Sequence, residues 1–331
     1  MYHFLHIRKG KVTQDQYIQS TPETVIMIRG MSRSYRSWLG LEKELSEQFD
    51  VICVDLPGVG LSKDEELLYT VQEMAFKILD LICTLRFRQM YFVAPSLGAM
   101  VVLELAKHLP IETVRGLILM APSHSGVGFK RLTRQTVSTF KKSLKASQSE
   151  LLELMSELVI GKTSDGRSIR EVDLPRLQAW EQALLADTED LGFNGRYSHM
   201  IAALAYTSRK ALNHVRRYQI PLKVLIPTDD RMIPVAHEQA VYEYLKHPQS
   251  AVIELQNAGH DIVVTHAKQV QDIIVQFVKE HTTYRVYPVQ MLEPKANRRQ
   301  LQNRFYTSLG LLSLGMFLFS WLFKGPKKPD N

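Results

Sequence analysis

Short apolar runs alternate along most of the chain with longer stretches in which apolar residues recur every three or four positions. The short runs suit buried strands and the longer stretches suit amphipathic helices. Strands separated by helices of this length predict βαβ units and a mostly parallel sheet flanked by helices. The predicted strands are residues 24–28, 51–54, 89–93, 114–120, 222–226 and 251–255, and the predicted helices are 34–49, 71–85, 236–246 and 266–281. A short hairpin over residues 2–18, turning at 9–11, precedes them.

The alternation stops between residues 124 and 218, where the sequence is helix-like, long and charged. An all-helical insert between two parallel strands predicts a cap, or lid, over the carboxyl ends of the strands, where such sheets bind ligands. We therefore predict a core made of residues 1–123 and 219–282 and a helical cap over 124–218. Within the cap, residues 129–145 combine an apolar stripe with many Lys and Arg. This stretch predicts a helix that packs its apolar face on the body or, alternatively, rests on a membrane surface.

A different pattern follows the predicted core. Residues 306–323 form a run of 18 residues without a charged side chain. As a helix the run is roughly 27 Å long, close to the roughly 30 Å of a bilayer core. Tyr306 and Trp321 lie near its ends, where aromatic residues favour the membrane interface. We predict a transmembrane helix over 306–323, a basic juxtamembrane linker over 283–305 and a short polar tail over 324–331.

The net charge of +7 is concentrated at the same end of the chain. Residues 292–331 hold 7 Lys/Arg and 2 Asp/Glu, a net of +5, and the rest holds 34 and 32, a net of +2. A nearly neutral body disfavours nucleic-acid binding, whereas the basic flank 295–304 suits anionic lipid headgroups. Because the N-terminus has no apolar signal segment, we expect the body to face the cytosol. The 2 cysteines, Cys53 and Cys83, lie in apolar runs and predict buried free thiols.

One serine lies between a predicted strand and a predicted helix. The strand at 89–93 leads into Ala94-x-Ser96-x-Gly98, after which the helical pattern begins. Small residues two positions before and after a serine permit the tight strand–turn–helix of a nucleophile elbow. The helix N-terminus adds unpaired N–H groups and the positive end of the helix dipole beside the serine oxygen. Ser96 is therefore a candidate nucleophile, although Ala94 stands where the G-x-S-x-G pattern has glycine.

Four segments together resemble the α/β-hydrolases of the large esterase, lipase and C–C hydrolase group, and the resemblance covers roughly residues 20–282. Each segment is a weak signal alone, but their order and spacing are those of the family. They are Arg29-Gly30-Met31 followed by Trp38, the D-x-P-G-x-G-x-S loop of residues 55–62, the elbow at Ser96, and Asp230 four residues before Pro234, followed by Ala258-Gly259-His260. The resemblance implies the α/β-hydrolase fold and a catalytic triad.

The implied triad is Ser96, His260 and Asp230. A serine hydroxyl needs a base at neutral pH, and a histidine can take its proton and return it to the leaving group. A carboxylate fixes the imidazole tautomer and stabilises the imidazolium. The spacing to Pro234 favours Asp230 as this carboxylate, and Asp229 is the alternate.

The resemblance also implies an oxyanion hole made of the backbone N–H groups of Leu97 and Met31. Arg29 departs from the family pattern, which has a histidine before the glycine, and this leaves loop geometry and substrate choice open. Three titratable residues on predicted helices, His237, Glu238 and His266, are interpreted as surface residues.

The expected function is a membrane-anchored serine hydrolase that cleaves a carboxylic ester of lipid or acylglycerol type through an acyl-enzyme. No ligand spacing typical of a metal site and no dinucleotide-binding fingerprint is present, so no metal or cofactor is expected. Thioesterase, acyltransferase and C–C hydrolase chemistry on the same triad remain open. A second class also remains open, namely a non-catalytic, membrane-tethered binding or scaffold protein that has kept the fold.

Overall fold

The computed structural model describes residues 4–8, 11–13, 23–85, 89–127, 131–143 and 145–282. The strands are β1 (Phe4–Arg8), β2 (Lys11–Thr13), β3 (Thr24–Ile28), β4 (Asp50–Val54), β5 (Met90–Pro95), β6 (Val114–Met120), β7 (Leu222–Pro227) and β8 (Ser250–Leu255). The helices are α1 (Leu41–Ser46), α2 (Val71–Leu85), α3 (Ser96–Ala106), α4 (Arg134–Ser143), α5 (Gln148–Val159), α6 (Ile169–Val172), α7 (Leu174–Ala205), α8 (Arg209–Tyr218), α9 (Val235–Leu245) and α10 (Ile262–His281).

The strands form one sheet in the order β2-β1-β4-β3-β5-β6-β7-β8. Neighbours from β4 to β8 run parallel, whereas β1 is antiparallel to both β4 and β2. The predicted mostly parallel sheet is therefore confirmed. The strand prediction works because central parallel strands are buried on both faces and so appear as continuous apolar runs.

Alternate residues of the strands face two separate apolar layers. Ile26, Phe92 and Val224 pack with the helices α2, α3, α8 and α9 on one face. Val25 and Tyr91, one position away, pack with α1 and α10 on the other face. The alternation is that of side chains along a strand, and it places helices on both faces of the sheet.

The predicted helix over 34–49 is only partly correct. A 3-10 turn, Tyr35–Trp38, comes first, and α1 begins only at Leu41. Between them Leu39 and Gly40 have φ values of 55° and 91°. Two consecutive left-handed residues cannot belong to a right-handed helix, so the chain turns there and brings Trp38 and Leu41 separately into the core.

Helices α4 to α7 cover the carboxyl ends of the strands, and hydrogen bonds join them to the body at several points. The Thr136 hydroxyl donates to the Met232 carbonyl at 2.7 Å, and the Lys162 N–H donates to the Asn257 carbonyl at 2.7 Å. The Asp261 N–H donates to the α5 residue Val159 at 2.9 Å. Within α7 the helix breaks at Gly192, where φ is 58° and ψ is −167°. The last helix before β7, α8, packs on α3 and α9 of the body.

No helix among the described residues is long and apolar enough to cross a membrane. The predicted transmembrane helix over 306–323, the linker over 283–305 and the tail over 324–331 all lie outside the described residues. Cys53 and Cys83 are free, and Cys83 is only half-buried, contrary to the expectation that both are buried.

Candidate active site

Ser96 occupies the first position of α3, directly after β5. Its φ is 50°, a left-handed conformation that costs energy for a residue with a Cβ. Gly98 shows why the elbow needs small residues, because a Cβ there would lie 2.4 Å from the Ile28 carbonyl oxygen at the end of β3. The strain and the close approach hold the Ser96 side chain at the carboxyl edge of the sheet.

The His260 ring and the Asp230 carboxylate meet at the same edge. His260 follows β8 and Asp230 follows β7, and His260 Nδ1 lies 2.6 Å from Asp230 Oδ2. The other carboxylate oxygen accepts the backbone N–H groups of Met232 and Ile233 at 2.7 and 2.8 Å. Since Nδ1 is held by Asp230, Nε2 is the ring nitrogen available to a reacting group.

Asp229, the alternate acid, points elsewhere. Its carboxylate pairs with Arg231 at 2.7 Å, and its side chain is 39% exposed. The structure therefore places Asp230, and not Asp229, against the His260 ring.

Ser96 and His260 line one cavity of about 140 Å³ between the body and the cap. Among the described residues no hydrogen bond joins the two side chains, and such contacts often tighten only when substrate is bound. Most of the wall is apolar, with Met31 from the body and the cap residues Phe140, Leu151, Val159, Leu184 and Met200. A second cavity of about 40 Å³ also reaches Ser96 and is lined by Leu97, Met100 and Arg131.

The two predicted oxyanion donors flank the nucleophile. Leu97 follows Ser96 in the first turn of α3, where backbone N–H groups have no acceptor within the helix. Met31 follows Gly30, and a Cβ on Gly30 would lie 3.3 Å from Ser96 Cβ. Met31 lines both cavities together with Ser96. The loop after β3 and the start of α3 thus bring both N–H groups to the edge where Ser96 lies.

A second buried carboxyl, Glu238, lies beneath the Asp230–His260 pair. Ligand atoms of Asp230, Glu238 and His260 all lie within 4.8 Å of one another. Burial, and then the negative charge of Asp230, raise the pKa of Glu238 well above its ordinary value. The raised pKa favours the protonated, neutral form of Glu238. Among the described residues neither Glu238 oxygen makes a hydrogen bond.

Asp230 itself stays ionised. Burial alone would raise the pKa of Asp230, but the charge of His260 and hydrogen bonds from His260 and from the Ile233 N–H outweigh burial and lower it. Asp230, Glu238 and His260 carry side chains of the types that bind divalent cations. However, both Asp230 oxygens already accept hydrogen bonds.

The interpretation of three residues as surface groups is wrong. Glu238, His237 and His266 are all buried. The His237 ring accepts the His124 N–H at 3.1 Å, and His266 Nε2 lies 3.0 Å from the Gln256 carbonyl. Each lies on a helix face that packs inward, His237 against His124, His266 against the Gln256 carbonyl and Glu238 beside Asp230, so helical periodicity alone gave no signal of its burial.

Arg29, which departs from the family pattern, contacts the loop after β8 that carries His260. Its guanidinium donates to Asp261, the residue after His260, at 2.8 Å, and the two side chains are 4% and 6% exposed. The other Asp261 oxygen accepts the indole N–H of the cap residue Trp180 at 3.0 Å. Arg29 also lies over the Trp38 ring at 4.7 Å. Arg29, which stands where the family pattern has histidine, thus stabilises the loop after β3 through its contacts with Asp261 and Trp38.

The Asp55 loop of the family pattern has a structural role. The Asp55 carboxylate accepts the backbone N–H groups of Tyr35 at 2.6 Å and Leu61 at 2.9 Å. A Cβ on Gly60 would lie 2.2 Å from that carboxylate, so only glycine fits there. Asp55 thus links the loop after β3 to the loop after β4 by hydrogen bonds.

Replacing Asp261 with asparagine is expected to destabilise the fold by about 3–5 kcal/mol, because it leaves the buried Arg29 without a counter-charge. Equilibrium unfolding in urea measures this change. The matched control is Asp229→Asn, which removes an exposed ion pair worth about 0–1 kcal/mol. Equal effects of the two substitutions would contradict the role given to the Arg29–Asp261 pair.

Comparison with known proteins agrees with this geometry. The model of the alpha/beta hydrolase family matches residues 25–273. A Yersinia enterocolitica protein assigned as carbamate hydrolase RutD is 24% identical over 265 residues, which is 78% of this chain and 89% of that protein.

Solved structures are similar in fold at lower identity. An esterase from Thermogutta terrifontis has a TM-score of 0.64 at 18% identity, covering 85% of this chain and 94% of its own. An enol-lactonase from Burkholderia xenovorans has a TM-score of 0.64 at 17% identity, covering 84% and 96%. The family model covers three quarters of the chain, and the candidate site lies at the carboxyl edge of the sheet. The chain therefore belongs to the alpha/beta hydrolase family.

Proposed function

We propose that the protein is a serine hydrolase that cleaves a carboxylic ester through an acyl-enzyme. The observation that carries the proposal is the 2.6 Å contact between His260 and Asp230, with His260 and Ser96 lining one cavity. This arrangement supplies the nucleophile, the base and the orienting carboxylate that acyl transfer needs.

In the proposed reaction His260 Nε2 takes the Ser96 proton as Oγ attacks the ester carbonyl carbon. The negative charge that forms on the carbonyl oxygen is met by the N–H groups of Leu97 and Met31. The C–O bond to the alcohol then breaks, and His260 returns the proton to the leaving alkoxide. A water molecule releases the acyl group by the same steps, with His260 again acting first as base and then as acid.

The cavity walls support an aliphatic substrate. Apolar side chains from α4, α5 and α7 face the body across the larger cavity, so a hydrocarbon chain would be removed from water there. The smaller cavity reaches Ser96 together with Leu97 and offers room for a second part of the substrate. These features favour an ester of lipid or acylglycerol type.

A fluorophosphonate probe tests the chemistry directly. We expect one stoichiometric adduct on Ser96, identified by mass spectrometry, because the probe reacts with a serine activated by a base and an oxyanion hole. Prior denaturation is the control and should abolish labelling. A folded protein without an adduct would favour the non-catalytic scaffold. Turnover on a panel of esters, thioesters and carbamates then separates the related reactions.

We further propose that residues 306–323 anchor the hydrolase to a membrane with its body on the cytosolic side. The support is the uncharged run of 18 residues, with basic residues at 295–304 on the side of the body. A tethered cleft meets membrane lipids at a high effective concentration. Anionic headgroups would hold the basic flank.

Truncation after residue 290 is expected to release the protein from membranes in carbonate extraction. Turnover on a short soluble ester should stay unchanged, because all described residues of the candidate site precede residue 282. Activity on lipid embedded in vesicles should fall by about 100-fold, since the tether no longer concentrates the enzyme at its substrate. A truncated protein that stays in the membrane pellet would place the anchor elsewhere, with the cap stretch 129–145 as the first candidate.

A further inference from the structure

Arg33 is a cationic side chain at the larger cavity that the proposed reaction does not use. It lies in the loop after β3, three residues beyond Gly30, and it lines the cavity together with Ser96 and His260. Only 8% of the residue is exposed. A guanidinium stays protonated in proteins, so a full positive charge faces the interior of this cavity.

Within the described part of the chain the donors of Arg33 have no acceptor. Among the described residues no hydrogen bond reaches its guanidinium and no carboxylate lies within 4.0 Å, and its close contact is the face of the Trp180 ring at 5.4 Å. Burial lowers the pKa of Arg33, whereas Asp261 and Asp187 at longer range raise it. A buried charge whose donors are unmet is costly, and proteins rarely keep one without a use.

The neighbouring carboxylates are already occupied. Asp187 accepts from Ser34 at 2.8 and 2.5 Å and from Arg36 at 3.1 Å. Asp261 accepts from Arg29 and from Trp180. Both oxygens of each carboxylate already accept a hydrogen bond, and neither carboxylate lies within 4.0 Å of Arg33, so its guanidinium is open to an anion that enters the cavity.

Arg29 and Asp261 form a buried ion pair at this end of the cavity, so the two residues together add no net charge. Two of the Arg29 nitrogens, Nε and Nη1, are buried without a hydrogen-bond partner. The one carboxylate among the described residues that line the cavity is Asp261, and the pair with Arg29 offsets its charge. Arg196 also lines the cavity, but its Nε already donates to the Gly192 carbonyl at 3.2 Å. A ligand anion would therefore meet a net positive charge, with Arg33 as the arginine that has no hydrogen bond among the described residues.

Resting on the proposed function, we propose that the ester substrate carries an anionic group, a carboxylate or a phosphate, which the Arg33 guanidinium binds through paired hydrogen bonds. Guanidinium matches both anions in geometry and charge. The apolar wall formed by Leu151, Met155 and Phe193 then contacts the hydrocarbon part. The substrate class is an anionic amphiphile with an ester bond.

Two matched substrate pairs test the proposal. In the phosphate pair, 1-oleoylglycerol and 1-oleoylglycerol 3-phosphate share one ester bond and differ in the phosphate. In the carboxylate pair, p-nitrophenyl pentanoate is compared with the mono-p-nitrophenyl ester of glutaric acid. We expect wild-type kcat/KM to be higher for the anionic member of at least one pair, and that pair identifies the anion.

The Arg33→Gln variant should lower the ratio of kcat/KM for the anionic over the neutral substrate by about 10- to 100-fold, the range for a hydrogen bond to a charged group. Arg33→Lys, which keeps the charge without the paired donors, should restore part of the ratio. The control is Arg170→Gln, an exposed arginine of the cap whose side chain is 69% accessible, and it should leave the ratio unchanged. A ratio that Arg33→Gln does not change overturns the proposal.

Binding without turnover separates failure of this proposal from failure of the proposed function. The Ser96→Ala variant is titrated with octyl phosphate, octanoate and octanol by calorimetry. Tighter binding of an anion than of octanol, lost in Ser96→Ala with Arg33→Gln, supports the anion site even if no ester is cleaved. Equal binding of all three to a folded protein overturns it, whatever the esterase assays show.

Discussion

Replacement of Ser96 by alanine is expected to lower kcat/KM for the best ester by about 10³-fold or more, which is the scale of loss for a triad member. The substitution removes only Oγ, and alanine keeps the Cβ that already sits at a φ of 50°. The fold should therefore survive, with the melting temperature close to that of the wild type. The fluorophosphonate adduct should disappear with the activity.

Ser125→Ala is the matched control for this experiment. Ser125 follows β6 and donates to the Tyr206 carbonyl at 2.5 Å, and it lines neither cavity at Ser96. Its loss should change stability slightly and turnover little. Near wild-type turnover in a folded Ser96→Ala protein would remove Ser96 from the mechanism.

Replacement of Asp230 by asparagine is expected to lower kcat by about 10⁴-fold, because an amide in place of the carboxylate favours the wrong imidazole tautomer and no longer stabilises the imidazolium. Asp229→Asn should change kcat by only a few fold, since Asp229 pairs with Arg231 and faces away from His260. The two substitutions are at adjacent positions, and only Asp230 contacts His260. Steady-state measurement of kcat therefore distinguishes the two assignments of the acid. The opposite order of effects would assign the acid to Asp229.

Glu238 adds a further control to this pair. It is the second buried carboxyl beside His260, and the negative charge of Asp230 contributes to its raised pKa. In Asp230→Asn that contribution disappears, so Glu238 can ionise more easily and supply part of the missing charge. Adding Glu238→Gln to Asp230→Asn should therefore remove residual activity that the single variant retains.

Much of the fold was predictable from the sequence because its signals are local. Strands β3, β4 and β5 are buried throughout, and β6 and β7 are buried at all but one position each, so they appear as nearly continuous apolar runs. Helix α2 was predicted with its observed bounds. The elbow at Ser96 was predictable for a similar reason, since its small residues and its strand–helix transition lie within ten positions. The order of the remaining motifs then gave Asp230 and His260.

The remaining features depend on long-range contacts that periodicity does not encode. Arg29 and Asp261 are separated by 232 positions, so their pairing follows only from the folded sheet. Glu238 and His266 appear as ordinary polar positions on helices, although the folded chain buries Glu238 beside Asp230 and His266 against the Gln256 carbonyl. Arg33 gave no signal either, because an arginine in a loop is usually exposed.

The hydrogen bonds that join the cap to the body have a consequence for how substrate enters. Val159, Lys162 and Thr136 each form a hydrogen bond with a loop that carries or adjoins His260 or Asp230. Swinging these helices away would break those bonds beside His260 and disturb the base. We therefore expect the cleft to be preformed. Ligand binding would then cost little conformational entropy in the protein, and an opening motion of the cap would not limit turnover. An entrance of fixed width would then select substrates by their cross-section. An unbranched acyl chain would enter the cavity, and a branched chain would be excluded before reaction.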